Sequence, residues 1–114
     1  MKEDDVRIIT LQLLKAADSM HSRGFIHRDI KPLNILLKRR SKVSKSLLVS
    51  LADFGFAIRV EQSKQYSNSG TPGYIAPEVI VSNEQSGKAD VFSIGCVVFY
   101  MITGRHLFKG ENAK

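Results

Sequence analysis

HRDIKPLN, at residues 27–34, is the stretch of this sequence that decides the fold. Its proline ends any helix that reaches it, so an acid, two cations and an amide lie in one tight loop. Before the loop, residues 4–23 carry apolar side chains three or four positions apart and a glycine follows, which predicts an amphipathic helix with a glycine C-cap. After it, apolar runs at 35–37 and Leu47–Leu51 predict an antiparallel ribbon. The loop therefore connects a helix to a strand.

A second group of polar and flexible residues, Asp53, Phe54 and Gly55, follows the second apolar run. Asn34 and Asp53 flank the predicted ribbon on either side, so its pairing brings an amide oxygen and a carboxylate close together. Such oxygens suit Mg²⁺, which binds few protein groups and keeps room for phosphates. Taken alone, each group is equally well explained as a hydrogen-bonded turn, because loops collect polar residues.

The remaining chain divides into an irregular segment and two helices. Residues 53–78 contain Gly, Ser, Asn and Pro at positions that prevent long regular elements, and long irregular segments in compact domains are usually functional. A short helix is predicted from about Pro77, and an apolar helix from about residue 88 to residue 103. Because the second helix is apolar on nearly all sides, we expect it to be buried. The predicted fold class is α+β, mainly helical.

Length and composition are those of one globular domain, with 114 residues, 43% of them hydrophobic and 25% charged. Cys96 has no second cysteine to pair with, and the charged first residues do not resemble a signal peptide. Both observations predict an intracellular, cytoplasmic location. The apolar stretch 91–102 is shorter than the roughly 18 to 20 residues that span a bilayer, so no transmembrane segment is expected.

The positive charge is concentrated in one short run. Five cations and no acid account for most of the formal charge of +6: Lys38, Arg39, Arg40, Lys42 and Lys45. A run of this kind, between two predicted strands, is typical of a solvated loop. Binding to nucleic acid or to an anionic membrane is the alternative, and no specific nucleic-acid partner is expected.

Four motifs occur in order along the chain: HRDIKPLN, ADFG at 52–55, GTPGYIAPE at 70–78 and DVFSIG at 90–95. In sequence and spacing they resemble the eukaryotic-type protein kinase family. Lys31 followed by Pro32 is similar to the serine/threonine type. The motifs are also similar to the calcium/calmodulin-dependent and cyclic-nucleotide-dependent groups, but too many groups share them to choose one.

The resemblance implies a partial C-terminal lobe of the kinase-like fold with a short antiparallel β ribbon. It implies a catalytic loop at 27–34, an activation segment at 53–78 and a central buried helix at about 88–103. The implied activity is transfer of the γ-phosphate of ATP to a protein Ser or Thr hydroxyl, with ATP and Mg²⁺ as cofactors. Its partners are then ATP and a protein substrate.

Roles follow from the resemblance at four positions. Asp29 resembles the catalytic base that orients the acceptor hydroxyl and takes its proton. Lys31 resembles the residue that neutralises the transferred phosphate. Asn34 and Asp53 resemble the Mg²⁺ ligands and, with Lys31, the cofactor-binding set.

Seven further positions resemble supporting residues of the family: His27, Arg28, Phe54, Gly55, Thr71, Glu78 and Asp90. Asp90 is expected to accept hydrogen bonds from the catalytic-loop backbone, to cap its helix, or both. Thr71 resembles the hydroxyl that bridges the catalytic acid and lysine. His27 and Phe54 are expected to be buried, and His27 is interpreted as a satisfied core histidine.

Ser67 resembles the residue that is phosphorylated in the activation segment of family members, with Ser69 and Tyr66 as substitutes. The phosphate would pair with Arg28 and order the segment. The alternative is that residues 63–69 form a polar loop without this function.

The sequence contains no GxGxxG motif, and no strand-rich segment precedes the first predicted helix. We therefore expect a partial catalytic domain, without the N-lobe and the distal C-lobe, that is inactive by itself. Glu78 would lack the arginine with which it pairs in family members. The alternative is a truncated pseudokinase-like scaffold or interaction module, against which the intact catalytic set argues.

Overall fold

The computed structural model describes residues 2–39, 47–61, 70–82 and 85–107. These residues form three α-helices, one short 3₁₀ helix and two small antiparallel sheets, an α+β arrangement. In chain order the elements are α1 (Glu3–Ser22), β1 (Phe25–Ile26), the 3₁₀ helix (Pro32–Asn34), β2 (Ile35–Arg39), β3 (Leu47–Leu51), β4 (Ile58–Arg59), α2 (Pro77–Ser82) and α3 (Gly87–Thr103).

Helix α1 forms where the apolar spacing predicts it, within one residue at each end. Three acids lie in its first turn, where negative charge stabilises the N-terminus of a helix. Its buried stripe, three or four residues apart, consists of Val6, Ile9, Leu13 and Ala17. Gly24 follows with a φ of 84°, a left-handed conformation that glycine adopts without strain. This turn leads the chain directly into β1.

Strands β2 and β3 pair from Ile35 opposite Leu51 to Arg39 opposite Leu47. The first strand is two residues longer than the predicted run 35–37, because the backbone pairing continues into polar residues. Gln12, a residue of α1, forms two hydrogen bonds to this ribbon. Its side-chain amide donates to the carbonyl of Leu47 and its carbonyl oxygen accepts from the amide of Val49, both at 2.9 Å.

A second, smaller sheet was not predicted. Strands β1 and β4 have two residues each and pair Phe25 with Arg59 and Ile26 with Ile58. The amide of Val60 continues the pairing by donating to the carbonyl of Gly24 at 2.8 Å. This sheet holds the residues after Asp53 beside the loop 27–34.

Helix α3 packs against α1 and supplies most of the remaining core. Ser86 caps its first turn by accepting from the amide of Lys88, and Gly104, with a φ of 76°, ends it. The core cluster consists of Ile9, Leu13, Ala17, Ile30, Tyr74, Ile94, Cys96 and Val97. Burial raises the pKa of the Cys96 thiol, which keeps that side chain a neutral part of the core.

Within the described residues one face of α3 is buried and the other is open. Ile94, Cys96 and Val97 are buried, whereas Val91 is 49% exposed and Ile102 is 65% exposed. The central position of this helix in a complete lobe stays a prediction. Across the part of the chain that the structure describes, no helix is both long enough and apolar enough to cross a membrane. Of the basic run, Lys38 and Arg39 belong to the described residues, and Arg40, Lys42 and Lys45 lie outside them.

We predict that Leu13→Ala lowers the free energy of unfolding by about 2–5 kcal/mol, because it opens a cavity in the core between α1 and α3. Leu11→Ala on the same helix is the matched control, since Leu11 is 53% exposed whereas Leu13 is fully buried. Its effect should stay within about 0.5 kcal/mol. Chemical denaturation followed by circular dichroism measures both, and equal losses would contradict the assigned core.

Candidate active site

The loop 27–34, which follows β1 and ends with the 3₁₀ helix, is anchored by one deeply buried apolar side chain. Ile30 is fully buried in the core between α1 and α3. Its neighbours in the loop are polar and almost equally buried, with Asp29 5% and Asn34 6% exposed. Buried polar groups of this kind need hydrogen-bond partners, and the partners define the site.

Asp90, in the first turn of α3, holds the start of this loop. Its carboxylate is 1% exposed and accepts from the amide of His27 at 2.8 Å and from the amide of Arg28 at 3.0 Å. These are the hydrogen bonds to the loop backbone that the resemblance implies. The alternative that Asp90 caps α3 is wrong, because Ser86 occupies the N-cap position.

Arg28 adopts a left-handed backbone conformation, with a φ of 72°. A non-glycine residue in this region stores strain, which persists where its surroundings fix the backbone. Its guanidinium donates to the carbonyl of Phe56 at 2.6 Å and to the side chain of Gln85 at 2.8 Å. Gly70 passes so close that a Cβ there would lie 2.9 Å from the carbonyl oxygen of Arg28. The segment after residue 69 therefore lies directly on the loop.

His27 joins the loop to the strand that precedes Asp53. It is fully buried, its Nδ1 accepts from the amide of Asp29 at 3.1 Å, and its Nε2 lies 3.1 Å from the carbonyl of Ala52. One nitrogen faces a donor and the other an acceptor, so the ring is the neutral tautomer with its proton on Nε2. His27 is therefore a core histidine with hydrogen-bond partners at both ring nitrogens.

Asp29, Thr71 and Lys31 form a triangle of two hydrogen bonds and one ion pair. The Thr71 hydroxyl donates to Oδ1 of Asp29 at 2.8 Å and accepts from Nζ of Lys31 at 2.6 Å. Nζ of Lys31 lies 3.7 Å from Oδ2 of Asp29. Because a hydroxyl has a single proton, its donation to the carboxylate fixes the lysine as the donor on the other side. The arrangement places a carboxylate and an ammonium side by side with a fixed orientation.

Asn34 completes the environment of Asp29. Its Nδ2 donates to the carbonyl of Asp29 at 2.8 Å and to Oδ2 at 3.1 Å. Those two bonds occupy the amide nitrogen, so the side-chain oxygen is the part of Asn34 suited to a cation. The carbonyl of Asn34 also accepts from the amide of Ala52 at 2.7 Å, which brings the backbone before Asp53 to this point.

Asp53 differs from Asp29 and Asp90 because it is exposed, whereas they are buried. Its φ is 53°, and its Oδ1 accepts from the amide of Gly55 at 3.2 Å. Carboxylate and amide oxygens are the ligands that a hard cation such as Mg²⁺ prefers. The described residues contain no group of three or more His, Cys, Asp or Glu side chains that could hold a metal. A cation held by Asn34 and Asp53 would therefore complete its coordination with phosphate oxygens and water.

Two expectations for supporting residues need correction. Phe54 is not buried but 53% exposed: one side of its ring contacts His27, at 5.1 Å between centroids, and the rest faces an open groove lined by Met20 and Phe25. Glu78, for which the resemblance implies a missing arginine partner and therefore the cost of a buried unpaired carboxylate, is only half-buried, and this partial exposure lowers that cost. Within the described ranges no ion pair to its carboxylate is found.

Sequence reasoning missed His21 and Gln85. Nε2 of His21 lies 2.8 Å from Oδ2 of Asp90, and Gln85 accepts from the Arg28 guanidinium as described above. Neither residue stands in a recognisable motif, and His21 is 69 positions from its partner along the chain. Its place in the last turn of a helix, where positive charge is favoured, is the one local signal it carries.

Comparison with known proteins agrees with this geometry. The family model described as "Protein kinase domain" matches residues 1–114. The chain is 43% identical to the human serine/threonine-protein kinase ULK1 and 36% identical to the serine/threonine-protein kinase unc-51 of Caenorhabditis elegans. It is 41% identical to a putative mitogen-activated protein kinase 14C of Drosophila melanogaster. The chain belongs to the eukaryotic-type serine/threonine protein kinase family.

The similarity covers almost the whole chain and a small part of each relative. The match to ULK1 covers 98% of this chain and 11% of the relative, and the match to unc-51 covers 97% of this chain and 14% of the relative. The match to the putative mitogen-activated protein kinase 14C covers 98% of this chain and 30% of the relative. A cGMP-dependent protein kinase of Drosophila melanogaster, at 38% identity, is among the other matches. Relatives with such different names do not single out one group of kinases for this chain.

We predict that Gly87→Ala disturbs the contact between His21 and Asp90, because a Cβ at residue 87 would lie 2.6 Å from Nδ1 of His21. Loss of that hydrogen bond should lower the free energy of unfolding by about 1–2 kcal/mol. Gly95→Ala, in the same helix but with nothing within 4 Å of the added methyl group, is the control. It should raise stability by about 0.5–1 kcal/mol through helix propensity. Equal stabilisation by both alanines, in thermal or chemical unfolding, would contradict the predicted contact.

Proposed function

We propose that this chain supplies the catalytic loop and the metal-binding segment of a protein serine/threonine kinase. The kinase transfers the γ-phosphoryl group of ATP to a Ser or Thr hydroxyl of a protein substrate. The proposal concerns the protein at its full length, because the chain spans 11% to 30% of the three relatives compared above. The observation that carries it is the triangle of Asp29, Thr71 and Lys31, with Asn34 behind it.

In the proposed reaction the substrate hydroxyl oxygen forms a bond to the γ-phosphorus while the bond from that phosphorus to the β,γ-bridging oxygen of ATP breaks. Asp29 accepts the proton of the hydroxyl, and ADP leaves. Phosphoryl transfer passes through a loose transition state, with charge spread over the phosphate oxygens. The residues of the chain therefore act mainly by position and charge rather than by covalent chemistry.

Each residue has one task in this proposal. Asp29 orients the hydroxyl, because its own carboxylate is held in a fixed orientation. Lys31 offsets the negative charge of the phosphoryl oxygens. Thr71 keeps these two side chains at a constant separation. Asn34 and Asp53 would hold Mg²⁺, and the metal supplies charge neutralisation at the phosphates when it is bound.

The test is substitution of the two acids in the full-length protein. Asp29→Asn should reduce phosphorylation of a generic basic peptide by about 10² to 10⁴, the usual contribution of a positioned base. Asp53→Asn should abolish it as well, because the proposed Mg²⁺ site loses its carboxylate. The amides keep the shape of the side chains, so circular dichroism should show an intact fold. Asp18→Asn, an identical change at an exposed position of α1, is the control and should leave the rate unchanged.

Near wild-type transfer by either variant would reject the assignment of that residue. A wild-type protein that binds ATP and Mg²⁺ but transfers no phosphate would instead favour the scaffold alternative. We also propose the intracellular, cytoplasmic location that the cysteine content predicts.

Regulation by phosphorylation of Ser67 also stays a prediction, since residues 62–69 lie outside the described part of the chain. A phosphate there would have to compete for Arg28 with the carbonyl of Phe56 and with Gln85, to which the guanidinium already donates. We expect Ser67→Ala to lower the rate of the full-length kinase about tenfold, since a phosphate forms charge-assisted hydrogen bonds that order a loop. Ser50→Ala, on the exposed side of β3, is the control. Absence of phosphate at Ser67 in mass spectra of the active protein would end this prediction.

A further inference from the structure

A hydrogen bond between Tyr74 and His106 joins the segment that carries Thr71 to the end of α3. The Tyr74 hydroxyl lies 2.7 Å from Nδ1 of His106, and the two rings meet edge to face at 5.7 Å between centroids. Tyr74 is 6% exposed, whereas His106 lies at the surface, two residues beyond the glycine that ends the helix. None of the tasks assigned above uses this pair.

The backbone of Tyr74 is also held by hydrogen bonds, one of them to α3. Its carbonyl accepts from the hydroxyl of Ser93 at 2.6 Å, and Ser93 is itself buried in the middle of the helix. Its amide donates to the carbonyl of Thr71 at 3.0 Å, which closes the turn from residue 71 to residue 74. One short turn therefore separates Tyr74 from the threonine that contacts Asp29.

The hydrogen bond between the two rings can run from the phenol to the imidazole. Burial raises the pKa of the Tyr74 hydroxyl, and Cys96 and Tyr100 raise it further, so the phenol keeps its proton and is available as a donor. Nδ1 of His106 is the acceptor when the imidazole carries its proton on Nε2, and the inference takes the bond in that direction. The imidazole is held for this task by stacking on Tyr100, at 4.8 Å between centroids and 19° between planes.

We propose that His106 is a positioning residue for phosphoryl transfer. By accepting the hydrogen bond of Tyr74 it keeps the turn 71–74 in place, and Thr71 can then hold Asp29 and Lys31 at their fixed separation. The inference rests on the proposed kinase function and adds to it a residue that lies in none of the motifs. It predicts an effect on the rate of the chemical step rather than on nucleotide binding.

The test compares three variants of the full-length kinase that separate the hydrogen bond from the ring contacts. Tyr74→Phe removes the donor and keeps the ring. His106→Phe removes the acceptor and keeps a ring to stack on Tyr100. His106→Asn loses the ring and keeps an acceptor near the position of Nδ1. Tyr100→Phe is the matched control, because it removes a tyrosine hydroxyl from the same cluster and leaves the bond between Tyr74 and His106 intact.

Loss of one partly exposed hydrogen bond corresponds to a change of about three- to tenfold. We expect kcat to fall by that factor in Tyr74→Phe and His106→Phe, with KM for ATP unchanged, and His106→Asn to recover most of the loss. Tyr100→Phe should behave like wild type. Wild-type kcat in Tyr74→Phe or His106→Phe, or an equal fall in His106→Asn and His106→Phe, overturns the positioning role and leaves the kinase proposal standing.

A second measurement does not depend on catalysis. The nitrogen NMR signal of Nδ1 of His106 should shift when Tyr74 is replaced by Phe and should keep its position in Tyr100→Phe. An unchanged signal in the first variant means that the hydrogen bond does not form, which overturns the inference. A wild-type protein without transferase activity overturns the proposed function and the positioning role with it.

Discussion

The buried carboxylate of Asp90 is the group on which the described structure depends most. It is 1% exposed, and its two oxygens accept from the amides of His27 and Arg28 and lie next to Nε2 of His21. A carboxylate removed from water is costly unless charge-assisted hydrogen bonds replace its hydration, and here three polar groups do so. These bonds join the end of α1, the start of the loop and the first turn of α3 at one point. The position of Asp29 relative to the core follows from this junction.

The loop beyond this junction is fixed by further contacts on both sides of Asp29. Ile30 anchors one side of Asp29 in the core, and His27 and Asn34 bond its backbone on the other. The strained backbone of Arg28 is tolerated because its amide and its guanidinium are both held. A reaction whose barrier falls mainly through positioning and electrostatics needs this kind of support, since a displacement of about 1 Å can cost a factor of roughly 10² in rate.

The sequence was sufficient for elements whose signals are local. Helices α1 and α3 lie within one residue of their predicted bounds, because apolar periodicity and glycine mark their ends. The strands β1 and β4 are too short for any pattern, and their pairing closes a loop of about thirty residues that no local rule predicts. The site motifs could be recognised, but the exposure of Phe54 could not. The contacts of His21 and His106 were missed for the same reason as the small sheet: their partners lie far along the chain.

The two candidate cation ligands are held in different ways, and this difference constrains how the proposed site can work. Asn34 is 6% exposed and its amide nitrogen is committed to Asp29, so its oxygen has a fixed position before any ligand arrives. Asp53 is exposed, and the bond from the Gly55 amide to its Oδ1 is local and involves a residue two positions away. A rigid ligand beside a less restrained one suits a cation that enters together with a nucleotide, because Mg²⁺ demands near-octahedral geometry and the less restrained carboxylate can adjust to it. The core thus fixes the half of the proposed site that contains Asp29 and Asn34, and ligand binding itself would fix the half that contains Asp53.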